Sequence, residues 1–298
     1  MGIEGKKLYD FKSEKYAFKK NTSGLVFNTT IYTDNYGFRV PKLYYSYDKD
    51  KKSVIFFGDS VTFGNGVKEE KTFVGLLRNK FTKFNFYNLS LPGYNIENYY
   101  NNFSLLDEIK NLERVFYIYT LNDIYDKANI NYYNLEKKNN TTTFITKLKQ
   151  NKILYNLNFW LRNKSYLYLY LKGILTDPSS RWFKYDYNLY SNEQLLINLE
   201  NFIEQFNSKV KSKNTELLVI ILPYEFQTRV GFCKTEFLIP QTKVATVLDK
   251  KNIKYFDLTN LFCNQKKPKD LFYKFDPMHL SKEGHQLILN FFLNEIYN

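Results

Sequence analysis

Five short apolar runs, set apart along the chain by longer amphipathic stretches, constrain the fold more than any other feature. They are residues 53–57 (SVIFF), 84–89, 114–121 (RVFYIYTL), 216–222 (ELLVIIL) and 254–258. Each has strand length and is rich in aliphatic, β-branched or aromatic side chains. Pro223 stops the fourth. Strand-like runs that alternate with helical stretches predict α/β layering around a mainly parallel sheet. The helical signal is clearest at the end of the chain. Ser281 suits an N-cap and Glu283 a first turn, and Leu287, Ile288, Phe291, Phe292 and Ile296 then recur on one face. Residues 195–211 and 239–251 carry similar patterns.

Two stretches stand outside this alternation. Residues 1–50 show little regularity beyond a turn at Asn35-Tyr36-Gly37. They read as an N-terminal lead-in that packs along the sheet edge or near a site. Residues 127–194, rich in Tyr, Asn and Leu, read as a helical insertion. It serves either as a lid that meets substrate or as helices that widen the core. The 298 residues thus divide into the lead-in and one domain over 51–298.

Bulk composition narrows the function classes. The net charge is +13, but the lysines fall in scattered pairs, such as Lys51-Lys52 and Lys250-Lys251. That distribution favours a solvated basic surface over a polyanion site, so no nucleic-acid partner is expected. The 19% aromatic content reads as a habit of composition rather than as chemistry. Cys233 and Cys263 form neither a disulfide framework nor a CxxC pair, and two buried free thiols are the expectation, with one bridge as the alternative. The first residues lack the apolar run of a signal peptide, Lys6 stands where a myristoylation motif has Ser or Thr, and no stretch has the length of a membrane span. The expected location is cytoplasmic. The sequence leaves the oligomeric state open.

The chemistry sits at the ends of the predicted strands. The first run leads into Gly58-Asp59-Ser60, and open α/β sheets place their ligand crevice outside the carboxyl ends of the strands. A serine nucleophile needs a base that titrates near neutrality, and the chain has two histidines, His279 and His285. His279 follows Asp276 by three residues in a loop before the last helix. A short turn there lets the carboxylate accept Nδ1–H and leaves Nε2 for Ser60. His285 lies within the predicted helix and reads as a packed or capping residue. Gly93, after the second run, offers an unhindered N–H, and Asn122, after the third, offers a side-chain amide. A metal site built from Asp59, Asp276 and His279 has too few nitrogen or sulfur ligands to be preferred.

Taken in order, Gly58-Asp59-Ser60, Gly93, Asn122 and the Asp276-x-x-His279 pair resemble the four blocks of the SGNH (GDSL-type) hydrolases. Each block alone is common by chance, but four in order at successive strand ends are specific. The resemblance runs from about residue 53 to the C-terminus. It implies a three-layer α/β/α, flavodoxin-like fold with a sheet of about five strands, and no cofactor or metal. It further implies a Ser60–His279–Asp276 triad and an oxyanion hole from the Ser60 N–H, the Gly93 N–H and the Asn122 side chain. One departure is Thr120, where the family has Gly two residues before the Asn, which points to a narrowed acyl site. Tyr224, Gln227 and Arg229, beyond the fourth run, are candidate substrate contacts. The implied activity is hydrolysis of a short acyl ester, acetyl above all, on a small molecule or carbohydrate. Alternatives are an O-acyltransferase that uses the same triad with a sugar hydroxyl as acceptor, and a non-catalytic basic module for polysaccharide or nucleic acid.

Overall fold

The structure, a computed structural model, describes residue 8 and residues 17–125 and 152–297. Two sheets form. The smaller is antiparallel and belongs to the lead-in, with β1 (Ser23–Val26), β2 (Thr29–Thr33) and β3 (Arg39–Val40) in that order. The larger has β4 (Lys52–Gly58), β5 (Phe84–Ser90), β6 (Leu112–Tyr119), β7 (Glu216–Ile221) and β8 (Lys254–Asp257), with every pairing parallel and the order β5-β4-β6-β7-β8. All five apolar runs became these strands, each shifted by no more than two residues at either end.

Consecutive side chains of β4 show why helices cover both faces. On one face the Phe56 ring meets Phe73, Phe116 and Phe292 at 5.5, 5.1 and 5.6 Å between centroids. On the other, Phe57 meets Tyr99, Phe103 and Phe206 at 6.5, 6.2 and 4.8 Å. A strand apolar at every position has no face to give to water, so it must lie between two helical layers. After the one-turn α1 (Ser60–Phe63), helix α2 (Phe73–Lys80) supplies Phe73 to the first layer. The second layer takes Tyr99 from α3 (Ile96–Asn101); α4 (Leu105–Glu108) follows it in the chain. The described part of the interval 127–194 begins with α5 (Lys152–Lys164), α6 (Tyr166–Thr176) and α7 (Pro178–Leu189). Residues 127–151 of the expected insertion lie outside the described residues. Then come α8 (Glu193–Lys211), which carries Phe206, α9 (Ile239–Lys250), the short α10 (Thr259–Cys263) and α11 (Lys282–Phe291), which packs with α2. Ser281 caps α11 by accepting from Gly284 N at 3.3 Å.

Two sequence expectations need correction. The tyrosines are not a mere habit of composition. Tyr99, Tyr119, Tyr190 and Tyr224 are buried in the core with hydroxyl partners. Tyr99 donates to Asp123 at 2.8 Å, Tyr190 donates to Leu121 O at 2.9 Å, and Tyr224 donates to Asp186. A phenol fills an apolar space and also satisfies a buried carboxylate or carbonyl, which Phe cannot do. Nor are the cysteines free. Cys233 and Cys263 are bonded, with Cα atoms 6.3 Å apart, and join the segment after β7 to the end of α10. Nothing in their spacing of 30 residues announces this, because the strands bring the two segments together.

The bridge closes a 30-residue loop, so in the chain-entropy description it stabilises the fold by about 3–4 kcal/mol. Reduction under native conditions, or Cys263→Ala, should lower the unfolding free energy by that amount in denaturant titrations. An unchanged midpoint in reductant would refute the bridge.

Candidate active site

Parallel register aligns the carboxyl ends of β4, β5 and β6, with Gly58 opposite Ser90 and Phe57 opposite Tyr117. The segments that leave these ends therefore emerge side by side. From β4 the chain turns sharply at Gly58. A side chain there would run into Thr62, so only glycine admits the turn. Asp59 caps α1, its Oδ1 accepting from Val61 N at 2.8 Å. Ser60 is the first helical residue. The helix lasts one turn and ends at Gly64 in the left-handed region (φ 78°). A helix this short has only a small dipole, and the local amides are what remain.

From β5 the chain enters the turn Leu91-Pro92-Gly93-Tyr94, closed by Tyr94 N on Leu91 O at 3.1 Å. Pro92 and a positive φ of 86° at Gly93 are the marks of a type II turn. From β6 comes Thr120-Leu121-Asn122-Asp123. Here Asp59 acts a second time. Its Oδ2 accepts from Asn122 Nδ2 at 3.2 Å and lies 3.1 Å from Thr120 Oγ1. Thr120 Oγ1 is also 2.7 Å from Asn122 Oδ1, and its single proton serves one acceptor at a time. The residue that departs from the family pattern is thus turned into a buried network that orients Asn122. The amide of Asn122 keeps a second N–H to donate.

The C-terminal element comes from the other end of the chain. The loop from Tyr273 to His279 is closed by Tyr273 N on His279 O at 3.0 Å. Asp276 shapes it from inside, with Oδ1 accepting from Met278 N at 3.0 Å and His279 N at 2.8 Å. The same carboxylate lies 2.8 Å from His279 Nδ1 through Oδ2. The proton therefore sits on Nδ1, and Nε2 is left as an acceptor 2.8 Å from Ser60 Oγ, 219 residues away in sequence. Asn65 Nδ2 also approaches Nε2, at 3.2 Å. One lone pair cannot serve both donors, and the nearer hydroxyl has the better contact.

Burial works against a charged His279, but the hydrogen bond and charge of Asp276, with the charge of Asp59 behind them, more than offset it and hold its pKa above 6.5. Burial likewise opposes the Asp276 anion, and the hydrogen bonds and charge from His279 and the loop amides win, so its pKa is lowered. His285 has the packed role read from the sequence. Its Nδ1 accepts from Phe73 N at 3.2 Å, and its ring lies on Phe73. Complete burial, with nearby Arg39, drives its pKa down to about 3.

The proposed substrate contacts fare differently. Tyr224 and Gln227 are fully buried, and the Gln227 amide is held by Phe237 O and Gln241 at 2.7 and 2.9 Å. Neither side chain has an atom to offer a ligand, because the turn after β7 points inward. Arg229 is paired with Glu225 and Asp177 and borders a cavity of about 910 Å³ that also reaches Tyr273 and Phe275.

Two residues near the site were missed. Asn65 gave no signal beyond its place in a Gly-rich turn. Arg39 comes from the lead-in and is 1% exposed. It donates through Nη1 to Phe63 O at 2.7 Å and Gly64 O at 2.8 Å, and through Nη2 to Val67 O. These carbonyls belong to the loop that carries Asn65, so Arg39 is its strut. A lone arginine in an irregular stretch cannot be told from a surface one by sequence.

No protein-family model matches this chain, and no curated protein is found to be similar. Solved structures are similar to it in shape at low identity. An acetyl xylan esterase, AlAXEase, has a TM-score of 0.49 at 16% identity, over 82% of this chain and 99% of its own. Axe2, an acetylxylan esterase from Geobacillus stearothermophilus, gives 0.47 at 13%, over 82% and 94%. A member of the lipolytic G-D-S-L family from Veillonella parvula gives 0.45 at 14%, over 83% and 99%.

With two histidines, the titration is easy to read. One imidazole should titrate by NMR above 6.5 and move down in Asp276→Asn, while the other stays neutral from pH 5 to 9. Two overlapping curves near 6.5 would contradict the assignment. Arg39→Met leaves three carbonyls without their donor and should cost about 3 kcal/mol of stability, measured by denaturant unfolding.

Proposed function

We propose that this chain is a serine-dependent carboxylic ester hydrolase, with Ser60 as nucleophile, His279 as general base and Asp276 as its orienting partner. The observation that carries this reading is the unbroken line from Asp276 Oδ2 through the imidazole to Ser60 Oγ, with 2.8 Å at each step. Such a line lets Nε2 take the hydroxyl proton as Oγ attacks an ester carbonyl. The resulting imidazolium stands against the Asp276 carboxylate, which is the arrangement that raises its pKa. It then returns the proton to the departing alcohol. Water, activated the same way, attacks the acyl-enzyme and releases the acid.

The tetrahedral oxyanion is held by the N–H groups of Ser60 and Gly93 and by the second N–H of Asn122. These three donors leave adjacent strand ends, and Asp59 fixes the geometry of two of them, since it caps the turn at Ser60 and holds the Asn122 amide. Preorganised donors of this kind cost no reorganisation when charge develops. The acyl group is short, acetyl above all, and the alcohol is a carbohydrate or related polar molecule. That part follows the family resemblance of the four blocks.

A fluorophosphonate probe should label Ser60, and short-chain aryl esters should be hydrolysed with a rate that rises with pH as His279 loses its proton, on a limb above 6.5. Ser60→Ala should lower kcat by about 10⁴ or more, and Asn122→Ala by about 10²–10³. Acetate release measured with and without sugar acceptors separates hydrolysis from acyl transfer. Full activity in Ser60→Ala would defeat the reading.

A further inference from the structure

The turn after α1 is braced from two sides. Arg39 takes three of its carbonyls, Phe63 O, Gly64 O and Val67 O. Opposite, Gly66 at φ 76° lies so close to the Tyr273 ring that a Cβ there would be 3.0 Å from its Oη. Tyr273 in turn closes the loop of His279 through its N–H on His279 O. Within the turn, Asn65 N donates to Ser60 O at 3.2 Å and Val67 N to Gly64 O at 3.1 Å. This backbone carries one side chain to the site. Asn65 is 7% exposed, and its Nδ2 stands 3.2 Å from His279 Nε2. Its Oδ1 is buried with no hydrogen-bond partner among the described residues. With the proton on Nδ1, Nε2 offers a lone pair alone, so the amide must turn its NH₂ and not its oxygen towards the ring. A buried amide oxygen without a donor costs stability, and its presence asks for a task beyond packing.

We propose that Asn65 is a further catalytic residue, whose Nδ2–H donates to the alcohol oxygen that leaves at His279 Nε2 and to the water that later takes its place. The assignment rests on the proposed hydrolysis at Ser60. Among the described residues, Ser60 Oγ and Asn65 Nδ2 are the donors at Nε2, at 2.8 and 3.2 Å. In the resting site the hydroxyl is the nearer. Once Oγ carries the acyl group it has no proton to donate, and Asn65 is the donor left beside the imidazole. Both transferred oxygens must come within hydrogen-bond reach of Nε2, one to receive its proton and one to surrender its own. That brings them beside an NH₂ with two hydrogens to give.

The two halves of the reaction use the amide in the same way. In the first, Nε2–H protonates the alkoxy oxygen as its bond to the acyl carbon breaks, and Nδ2–H shares the charge that develops there. In the second, a water accepts from Nδ2–H and gives a proton to Nε2 while its oxygen attacks the acyl carbon. Collapse breaks the bond between that carbon and Ser60 Oγ, which recovers its proton from Nε2. A leaving group that is already a stable anion gains little from the extra donor, and an alkoxide gains more. Asn65 therefore acts on alkyl esters and on hydrolysis of the acyl-enzyme more than on acylation by aryl esters.

The test uses the full chain with p-nitrophenyl acetate and ethyl acetate. In Asn65→Ala the acyl-enzyme should be hydrolysed about 10–100-fold more slowly. Stopped-flow nitrophenol release should then show a burst of about one equivalent before a slow steady state, and kcat on ethyl acetate should fall by a similar factor. Fluorophosphonate labelling of Ser60 should fall far less, because fluoride leaves without a proton. Thermal unfolding should not drop, since the substitution removes an unpaired buried oxygen, whereas a packing role requires a drop. Asn65→Asp keeps the shape and removes the N–H groups, so the same slow step should persist in it. Unchanged turnover in Asn65→Ala, an equal loss in labelling and in both esters, or full rates in Asn65→Asp would each overturn the assignment. An unaltered chain that the fluorophosphonate leaves unlabelled defeats the hydrolase reading and Asn65 with it. Labelled Ser60 with unchanged turnover in Asn65→Ala defeats the role of Asn65 alone.

Discussion

The parallel pairing of β4 with both β5 and β6 governs everything near Ser60. Parallel strands must all end on the same edge, so three loops from distant parts of the chain emerge there together. Once they do, a single buried carboxylate organises them. Asp59 touches the α1 amide, Thr120 and Asn122, and so links the Ser60 turn to the end of the neighbouring strand. A buried carboxyl group of this kind is tolerable only because it has several hydrogen-bond partners, and removing any of them leaves it undersatisfied. The site and the core are therefore held by the same contacts.

The second organising group is Asp276, which has a similar dual task. It accepts two loop amides and the imidazole, so the backbone turn and the orientation of His279 are set by one side chain. Phe275 just before it adopts φ 64°, an unusual conformation for a bulky residue, and its ring is held against α6. Backbone in that region persists only where surrounding contacts enforce it. Here the enforcement comes from α6, which leaves Leu167, Ile174 and Leu175 exposed on its outer side.

Much of this was legible in the sequence because the signals were local. Short runs rich in aliphatic, β-branched or aromatic residues declare strands, and β4 through β8 each read as strands for that reason. Two histidines in the whole chain reduced the search for a base to a choice, and the Asp276 spacing made it. What stayed hidden depended on long-range placement. The Cys233–Cys263 bond needs the ends of two segments to meet in space. Tyr224 and Gln227 resemble a polar surface loop until the turn after β7 is seen to point inward. Thr120 looked like an obstruction to the acyl site, and in the fold its hydroxyl belongs to the Asp59 network. Arg39 has no local pattern at all, since its partners are carbonyls 24 to 28 residues further on.

Arg39 also redraws the boundary of the folded unit around Ser60. By strand count the α/β sheet begins at β4, and the irregular region before it invites trimming when a compact version is wanted. Yet the guanidinium that props the Ser60–Val67 turn enters from β3, and Tyr47 stacks on Tyr87 of the edge strand at 3.7 Å. Any shortened derivative that starts at the first parallel strand discards both, and with them the floor beneath Ser60.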